Sequence, residues 1–309
     1  MFYVATLISS PDRPAVTDAL AQKVARYLPH GRPVDWLEPG VATDIAFLAE
    51  EFEGAEIAEA EALFKDMARD IRDMIGGDPV DVVIQPHEGR RKTLFLADMD
   101  STMIGQECID ELADYAGFKD RVAAITERAM RGEIAFEPAL RERVALLKGL
   151  PSTAIDKVIA ERIRLTPGGR TLVATMRAHG AYTCLVSGGF TAFTSKIAAM
   201  IGFDENHANT LLADAGGKLI GAVADPVLGR EAKLATLNEL RARFGLARDA
   251  TLAVGDGAND IPMLVAAGLG VAFHAKPAVK EAAAARIDHG DLTALLYAQG
   301  YRREEFVGE

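Results

Sequence analysis

At 309 residues the chain has room for two domains, and its 49% hydrophobic and 26% charged residues are ordinary for a globular protein. A formal net charge of −11 argues against a general binder of nucleic acid or of anionic membrane, since both surfaces are themselves negative. A small anionic substrate stays within reach, because a few local cations can hold one.

Residues 2–9, FYVATLIS, read as a strand, and a helix is expected from about Ala15 to Leu28 after Ser10 and Pro11. Two further strands, 33–39 and 43–49, flank the turn Glu38-Pro39-Gly40. Residues 55–75 have the spacing of one acidic amphipathic helix, and 79–85, PVDVVIQ, form a short strand. The order β-α-β-β-α-β describes a small α/β sandwich over residues 1–86. The polar, turn-rich run Pro86-His87-Glu88-Gly89-Arg90-Arg91 is read as a linker.

From Thr93 the pattern changes. The apolar strands 93–97 (TLFLA), 182–186 (YTCLV), 251–254 (TLAV) and 269–273 (LGVAF) end in polar turns, several of them with glycine, and are followed by helices. This alternation predicts a parallel sheet with both faces covered, the α/β class, over 92–309. Residues 105–165 carry helical periodicity and no convincing strand, more chain than a crossover requires, and read as an inserted helical cap. Residues 211–223 resemble a hairpin turning at Gly216-Gly217.

In such sheets ligands bind beyond the carboxyl ends of the strands. There lie Asp98-Met99-Asp100-Ser101-Thr102, Ser187-Gly188-Gly189-Phe190 and Gly255-Asp256-Gly257-Ala258-Asn259-Asp260. Four carboxylates gathered at one edge require a compensating cation, and an all-oxygen set suits Mg²⁺. With Asp98, Asp100, Asp256 and Asp260 all ionised, one Mg²⁺ and one lysine would still leave negative charge before a phosphate arrived. Asp100 is therefore expected to be protonated when substrate binds, its pKa raised by like-charged neighbours, and a neutral carboxylic acid is what a departing alkoxide needs. Ser187 and the Gly188 N–H can serve phosphoryl oxygens. Lys233, early in a helix expected over Arg230 to Phe244, is the candidate counter-charge.

These four segments together resemble the motifs of the haloacid-dehalogenase-like phosphatases, and most closely the phosphoserine phosphatase branch, over about residues 92–300. The resemblance implies Asp98 as nucleophile and Asp100 as general acid, then base. It implies Mg²⁺ held by the Asp98 carboxylate, the Asp100 carbonyl and the Asp256 carboxylate, with Asp260 supporting. Ser187, Gly188, Lys233 and Asn259 would surround phosphate. In the cap, Glu107 would grip a substrate ammonium, Arg143 a carboxylate, and Phe136 would cover the substrate. An anion and an arginine fork are also what a zwitterionic amino acid needs on chemical grounds alone. The implied reaction is hydrolysis of O-phosphoserine, the last step of serine synthesis. A phosphotransferase on the same fold and a non-catalytic receiver that merely holds a phosphoaspartate are the competitors; the cap and the second aspartate argue against the receiver.

Residues 1–86 are similar to ACT-type regulatory domains in element order alone, which leaves an amino-acid effector and a homodimer open for that part. Phe190 and Cys108 are expected in the core. Cys108 and Cys184 stand in neither a C-x-x-C pair nor zinc-ligand spacing. With no leader-like start and no long apolar run, they fit a reduced, cytoplasmic protein.

Overall fold

A computed structural model describes residues 2–49, 57–131 and 133–308. The N-terminal part contains β1 (Phe2–Ile8), α1 (Asp18–Tyr27), β2 (Asp35–Glu38), β3 (Ala42–Leu48), α2 (Ile57–Ile75) and β4 (Asp81–Pro86). The expected order of elements stands; positions 55 and 56 of the expected helix lie outside the described residues. The four strands make an antiparallel sheet in the order β2-β3-β1-β4.

Strand alternation decides what each face meets. Tyr3, Ala5 and Leu7 join Ile45, Phe47, Val82 and Ile84 in one apolar cluster with Leu20 and Val24 of α1 and Phe64, Ala68 and Ile71 of α2. On the opposite face Thr6 donates to Asp44 Oδ1 at 2.7 Å, and Arg90 Nη2 donates to Asp44 Oδ2 at 2.5 Å. That buried carboxylate is therefore satisfied on both oxygens. Thr17 begins α1 by accepting the Leu20 N–H on its hydroxyl, a side-chain cap of the usual kind.

The second sheet has six strands in the order β12-β11-β10-β5-β6-β7: β5 (Leu94–Ala97), β6 (Tyr182–Phe190), β7 (Glu205–Asn209), β10 (Thr251–Gly255), β11 (Leu269–Phe273) and β12 (Ala285–Ile287). The pairs β10–β11, β11–β12 and β6–β7 run parallel. At the start of β5 the Thr93 N–H donates to the Ala250 carbonyl, and the Thr93 carbonyl accepts the Tyr182 N–H, both at 2.9 Å. Strands β5, β10 and β11 are buried along their whole length, as apolar runs in a doubly covered sheet should be. Two strands escaped the sequence reading: β7, whose sequence ENHAN has no apolar run, and the three-residue β12.

The chain divides into two compact units. One comprises Met1–Leu96, Pro167–Thr183 and Leu237–Glu309; the other Ala97–Thr166 and Cys184–Thr236. The boundary passes through β5 and β6 themselves. The first unit holds β10, β11, β12 and most of β5, together with α7 (Gly169–Ala178), α10 (Ile261–Ala266), α11 (Pro277–Ala282) and α12 (Ala294–Ala298). In the second, α3 (Cys108–Tyr115), α4 (Lys119–Met130), α5 (Phe136–Ala145) and α6 (Thr153–Glu161) form the helical insertion. They are accompanied by α8 (Thr191–Ile201) and by the antiparallel pair β8 (Leu211–Ala213) and β9 (Leu219–Val223), the expected hairpin. Helix α9 (Arg230–Phe244) starts in the second unit and ends in the first. Among the described residues no helix is long and apolar enough to cross a membrane.

Candidate active site

Asp98 is the first residue beyond β5 and is almost wholly buried. Its Oδ1 accepts the Met99 N–H at 2.8 Å and faces Lys233 Nζ at 2.6 Å. Lys233, in the first turn of α9, is only 2% exposed. A lysine at that depth is stable as an ammonium only beside an anion, so Lys233 is not a solvated helix residue.

After Asp98 the chain turns tightly. The Ile104 N–H returns to the Met99 carbonyl at 3.0 Å, and Ser101 takes a positive φ of 56°, uncommon for a residue with a Cβ. The turn directs Asp100 at the start of α3, where its Oδ1 accepts the Cys108 N–H at 3.0 Å. Its other oxygen, Oδ2, lies 3.5 Å from Ser187 Oγ. The Asp100 carboxyl is pushed up to about 7, chiefly by burial and secondarily by the negative charge of Glu107, against the pull of the Cys108 N–H and Lys233. The expected direction holds, but the expected cause needs correction. Loss of water around the group outweighs repulsion from its acidic neighbours.

Ser187 and Gly188 lie near the end of β6. Ser187 Oγ accepts the Gly189 N–H at 2.9 Å, which fixes the hydroxyl. A Cβ at Gly189 would stand 3.0 Å from Ser187 Oγ and 3.1 Å from Asp100 Oδ2, so the close approach of this loop to the carboxyl favours glycine. A Cβ at Gly188 would meet Phe136 Cζ at 3.5 Å, and one at Gly229 would meet Phe136 Cδ1 at 3.5 Å. The Phe136 ring therefore stands over both glycines, yet 42% of the residue is exposed. Phe190 and Cys108 are buried, as expected.

Glu107 precedes α3, and its Oε1 accepts the Ser101 hydroxyl at 2.7 Å. Arg143, on α5, donates to the Ala139 carbonyl at 3.3 Å and to Thr126 Oγ1 at 3.5 Å. Burial pulls its pKa down while Asp110 and Glu107 oppose the shift; the guanidinium stays charged throughout. One anion and one arginine with few committed donors thus occupy the cap side of the same unit as Asp98, Asp100, Ser187 and Lys233.

In the other unit, Asp256, Asn259 and Asp260 occupy the turn after β10. Asp260 is fully buried and its Oδ2 accepts the Gly257 N–H at 2.9 Å. Asp256 and Asp260 each present a carboxylate oxygen within 4.8 Å of the other. A Cβ at Gly255 would fall 2.4 Å from Asp260 Cγ, so this turn closes only around glycine. A Cβ at Gly257 would fall 2.4 Å from Asn259 Oδ1, a side-chain end that can move aside.

Asn209 was not among the residues singled out from sequence. It is 2% exposed, its Nδ2 donates to the carbonyls of Gly188 at 2.9 Å and Leu228 at 3.1 Å, and its Oδ1 accepts the Leu228 N–H at 2.7 Å. One amide therefore ties the Ser187–Gly188 loop to the segment leading into α9 and Lys233. Its strand was not recognised, so nothing assigned it a place; a polar residue ending a strand beside the phosphate-type loop is the signal that would have found it.

The haloacid dehalogenase-like hydrolase profile matches residues 95–265. A phosphoserine phosphatase of Streptomyces coelicolor is 40% identical over 309 residues, 97% of this chain and 72% of that protein. A crystal structure of a haloacid dehalogenase family hydrolase from Salmonella enterica serovar Typhi superposes with a TM-score of 0.80 at 29% identity, covering 96% of this chain and 98% of the other. A phospho-aspartyl intermediate analogue of phosphoserine phosphatase matches 67% of this chain and 98% of its own, at 42% identity and a TM-score of 0.61.

Proposed function

The chain belongs to the haloacid dehalogenase-like hydrolases, and on that premise we propose that it hydrolyses O-phospho-L-serine to L-serine and phosphate through a phosphoaspartate on Asp98. The observation that carries the reading is the buried Asp98–Lys233 pair beside a carboxyl, Asp100, whose pKa lies about 7. One aspartate is held ionised by an ammonium and is available as a nucleophile. The other, pushed up to about 7, keeps its proton in part of the population at neutral pH and is available as an acid.

In the first half-reaction an Asp98 oxygen attacks phosphorus in line with the ester oxygen. The P–O(serine) bond breaks, and the Asp100 proton passes to the departing serine oxygen. In the second, Asp100, now a carboxylate, takes a proton from water as that water attacks phosphorus. The acyl-phosphate P–O bond breaks, Asp98 regains its carboxylate and phosphate leaves. Lys233 offsets the charge of Asp98 and of the phosphoryl group, while the Ser187 hydroxyl and the Gly188 N–H serve phosphoryl oxygens.

The donor set fits a hard divalent cation: the acidic residues after β5 and β10 offer oxygens only. We assign Mg²⁺ to the Asp98 carboxylate, the Asp100 carbonyl and the Asp256 carboxylate, with Asp260 supporting, because β5 and β10 are neighbours in the sheet and both residues follow directly from its carboxyl edge. Bound there, Mg²⁺ supplies the positive charge that lets a dianionic ester approach the carboxylates. Asn259 completes the phosphate surroundings.

Substrate choice is assigned to the cap. Glu107 takes the serine ammonium, Arg143 its carboxylate and Phe136 covers the ester; the cap closes for the first step and opens for release of serine. We read 92–309 as the phosphatase domain, with its cap at about 105–165. Residues 1–86 are read as an ACT-like regulatory domain with an amino-acid effector and a homodimer contact, a reading supported by its βαββαβ order and antiparallel sheet. A cytoplasmic location accords with two free, buried cysteines.

The test is phosphate release, with Mg²⁺, across phosphorylated amino acids and sugar phosphates, with and without an added acceptor alcohol. Phosphoserine should be the preferred substrate without any acceptor, and Asp98→Asn should be inactive. A strict need for an acceptor would make the protein a phosphotransferase. Full activity of Asp98→Asn would remove the nucleophile from the mechanism.

A further inference from the structure

The parallel pair β6–β7 places Cys184 opposite Glu205 and Val186 opposite His207. Paired residues of neighbouring strands share a face, and so do residues two apart on one strand. Cys184, Glu205 and His207 therefore project together. Their ligating atoms all lie within 4.8 Å of one another, with His207 Nε2 3.0 Å from Glu205 Oε1. Cys184 is completely buried, and its thiol makes a long contact of 3.9 Å to the Leu185 carbonyl. Glu205 and His207 sit on β7, the last strand of the sheet, where the His207 side chain is 41% exposed. The cluster thus has a dry floor and an open rim.

We propose that Cys184, Glu205 and His207 form a second cation site, selective for a thiophilic divalent ion such as Zn²⁺ and distinct from the oxygen-only aspartates. Sulfur, imidazole nitrogen and one carboxylate oxygen are a three-ligand zinc set, with the fourth position left to water. A tetrahedral ion with bonds of about 2.0–2.3 Å needs its ligating atoms about 3.3–3.8 Å apart, so the side chains must adjust from the arrangement seen. Charge also closes: a thiolate and a carboxylate neutralise the ion, so no net charge is buried. Binding replaces the thiol proton by the metal, the proton goes to water, and the His207–Glu205 hydrogen bond gives way to two metal bonds.

The site adjoins the catalytic loop in sequence. Cys184 is three residues before Ser187, and His207 two before Asn209, which holds the Gly188 carbonyl. An ion there would clip the edge strand to β6 and brace that loop.

Co²⁺ titration of the full chain tests the proposal, because a cobalt–thiolate bond gives a near-ultraviolet charge-transfer absorption that an all-carboxylate site cannot. One equivalent should produce the band, and Zn²⁺ should abolish it by displacement. Cys108→Ala should keep the band and Cys184→Ala should lose it. His207→Ala, at a half-exposed edge position, should fold normally and weaken Zn²⁺ binding by more than about 100-fold, beyond what loss of an outer-shell partner costs. Absence of a thiolate band in the unmodified protein would overturn the site. So would a band that survives Cys184→Ala or disappears with Cys108→Ala, or unchanged affinity in His207→Ala. Should Cys184→Ala fail to fold, the His207→Ala affinity and the Cys108→Ala spectrum decide.

Discussion

Neutralising one member of the Asp98–Lys233 pair should destabilise the protein far more than neutralising both. The N···O separation is 2.6 Å and both groups are nearly excluded from water. At an effective dielectric constant of about 20 the gross attraction at that distance is about 6 kcal/mol, most of which offsets the cost of taking the two ions out of water. Lys233→Met removes the attraction and leaves the Asp98 carboxylate buried beside a carboxyl; breaking a buried pair in this way costs roughly 3–5 kcal/mol. In Asp98→Asn/Lys233→Met neither member of the pair carries charge, and the loss should fall to about 2 kcal/mol or less, giving a coupling energy of several kcal/mol in the cycle. Urea unfolding near neutral pH in the presence of a chelator measures all four proteins, since a divalent ion would replace part of the missing charge. With Mg²⁺ added, the Lys233→Met deficit should shrink. A deficit under about 1 kcal/mol, or a double variant whose loss equals the sum of the singles, would refute the claim that this pair is a buried, mutually dependent charge couple.

Asn209→Ala strips partners from Gly188 and Leu228; it should cost about 1–3 kcal/mol in stability and lower kcat, and an unchanged kcat would remove Asn209 as the brace of the loop. Arg143→Ala should reduce kcat/KM for phosphoserine far more than for an aryl phosphate lacking a carboxylate, and equal losses would end its assignment as carboxylate reader. Lys92 is held by the carbonyls of Gly89 and Asp249 at 2.9 and 2.8 Å, and burial pulls its pKa from 10.5 down to about 8. The unfolded chain therefore binds more protons than the folded one between those values, so stability gains from this group as pH rises from about 8 to 10.5, by at most about 3 kcal/mol. Chemical denaturation across that range should show the gain in the unmodified protein relative to Lys92→Met, and parallel curves would show that Lys92 titrates normally.

What the sequence discloses here depends on how local the signal is. Apolar runs ending in polar turns revealed four strands of the parallel sheet, because strands covered on both faces need no polar alternation. The same logic hid β7: an edge strand is half-wetted, so ENHAN satisfies its burial without any apolar run. With that strand went Asn209, a brace whose partners are 19 and 21 residues away, and the Cys184–Glu205–His207 cluster, whose members are separated by a whole helix. Spacing rules for metal ligands assume ligands close in sequence, and parallel pairing supplies proximity without it. Asp100 shows the complementary limit. Counting charges predicted a raised pKa, and the prediction reached the right sign through a secondary cause, since sequence counts carboxylates but cannot count the water they lose. The dominant contribution came from burial of the Asp100 carboxyl, and the turn at Ser101 with φ 56° beside it is a property of the closed fold that the letters D-M-D-S-T do not announce. Chemistry carried by residue type was therefore legible from the chain, while chemistry created by exclusion of solvent appeared only when the elements were in place.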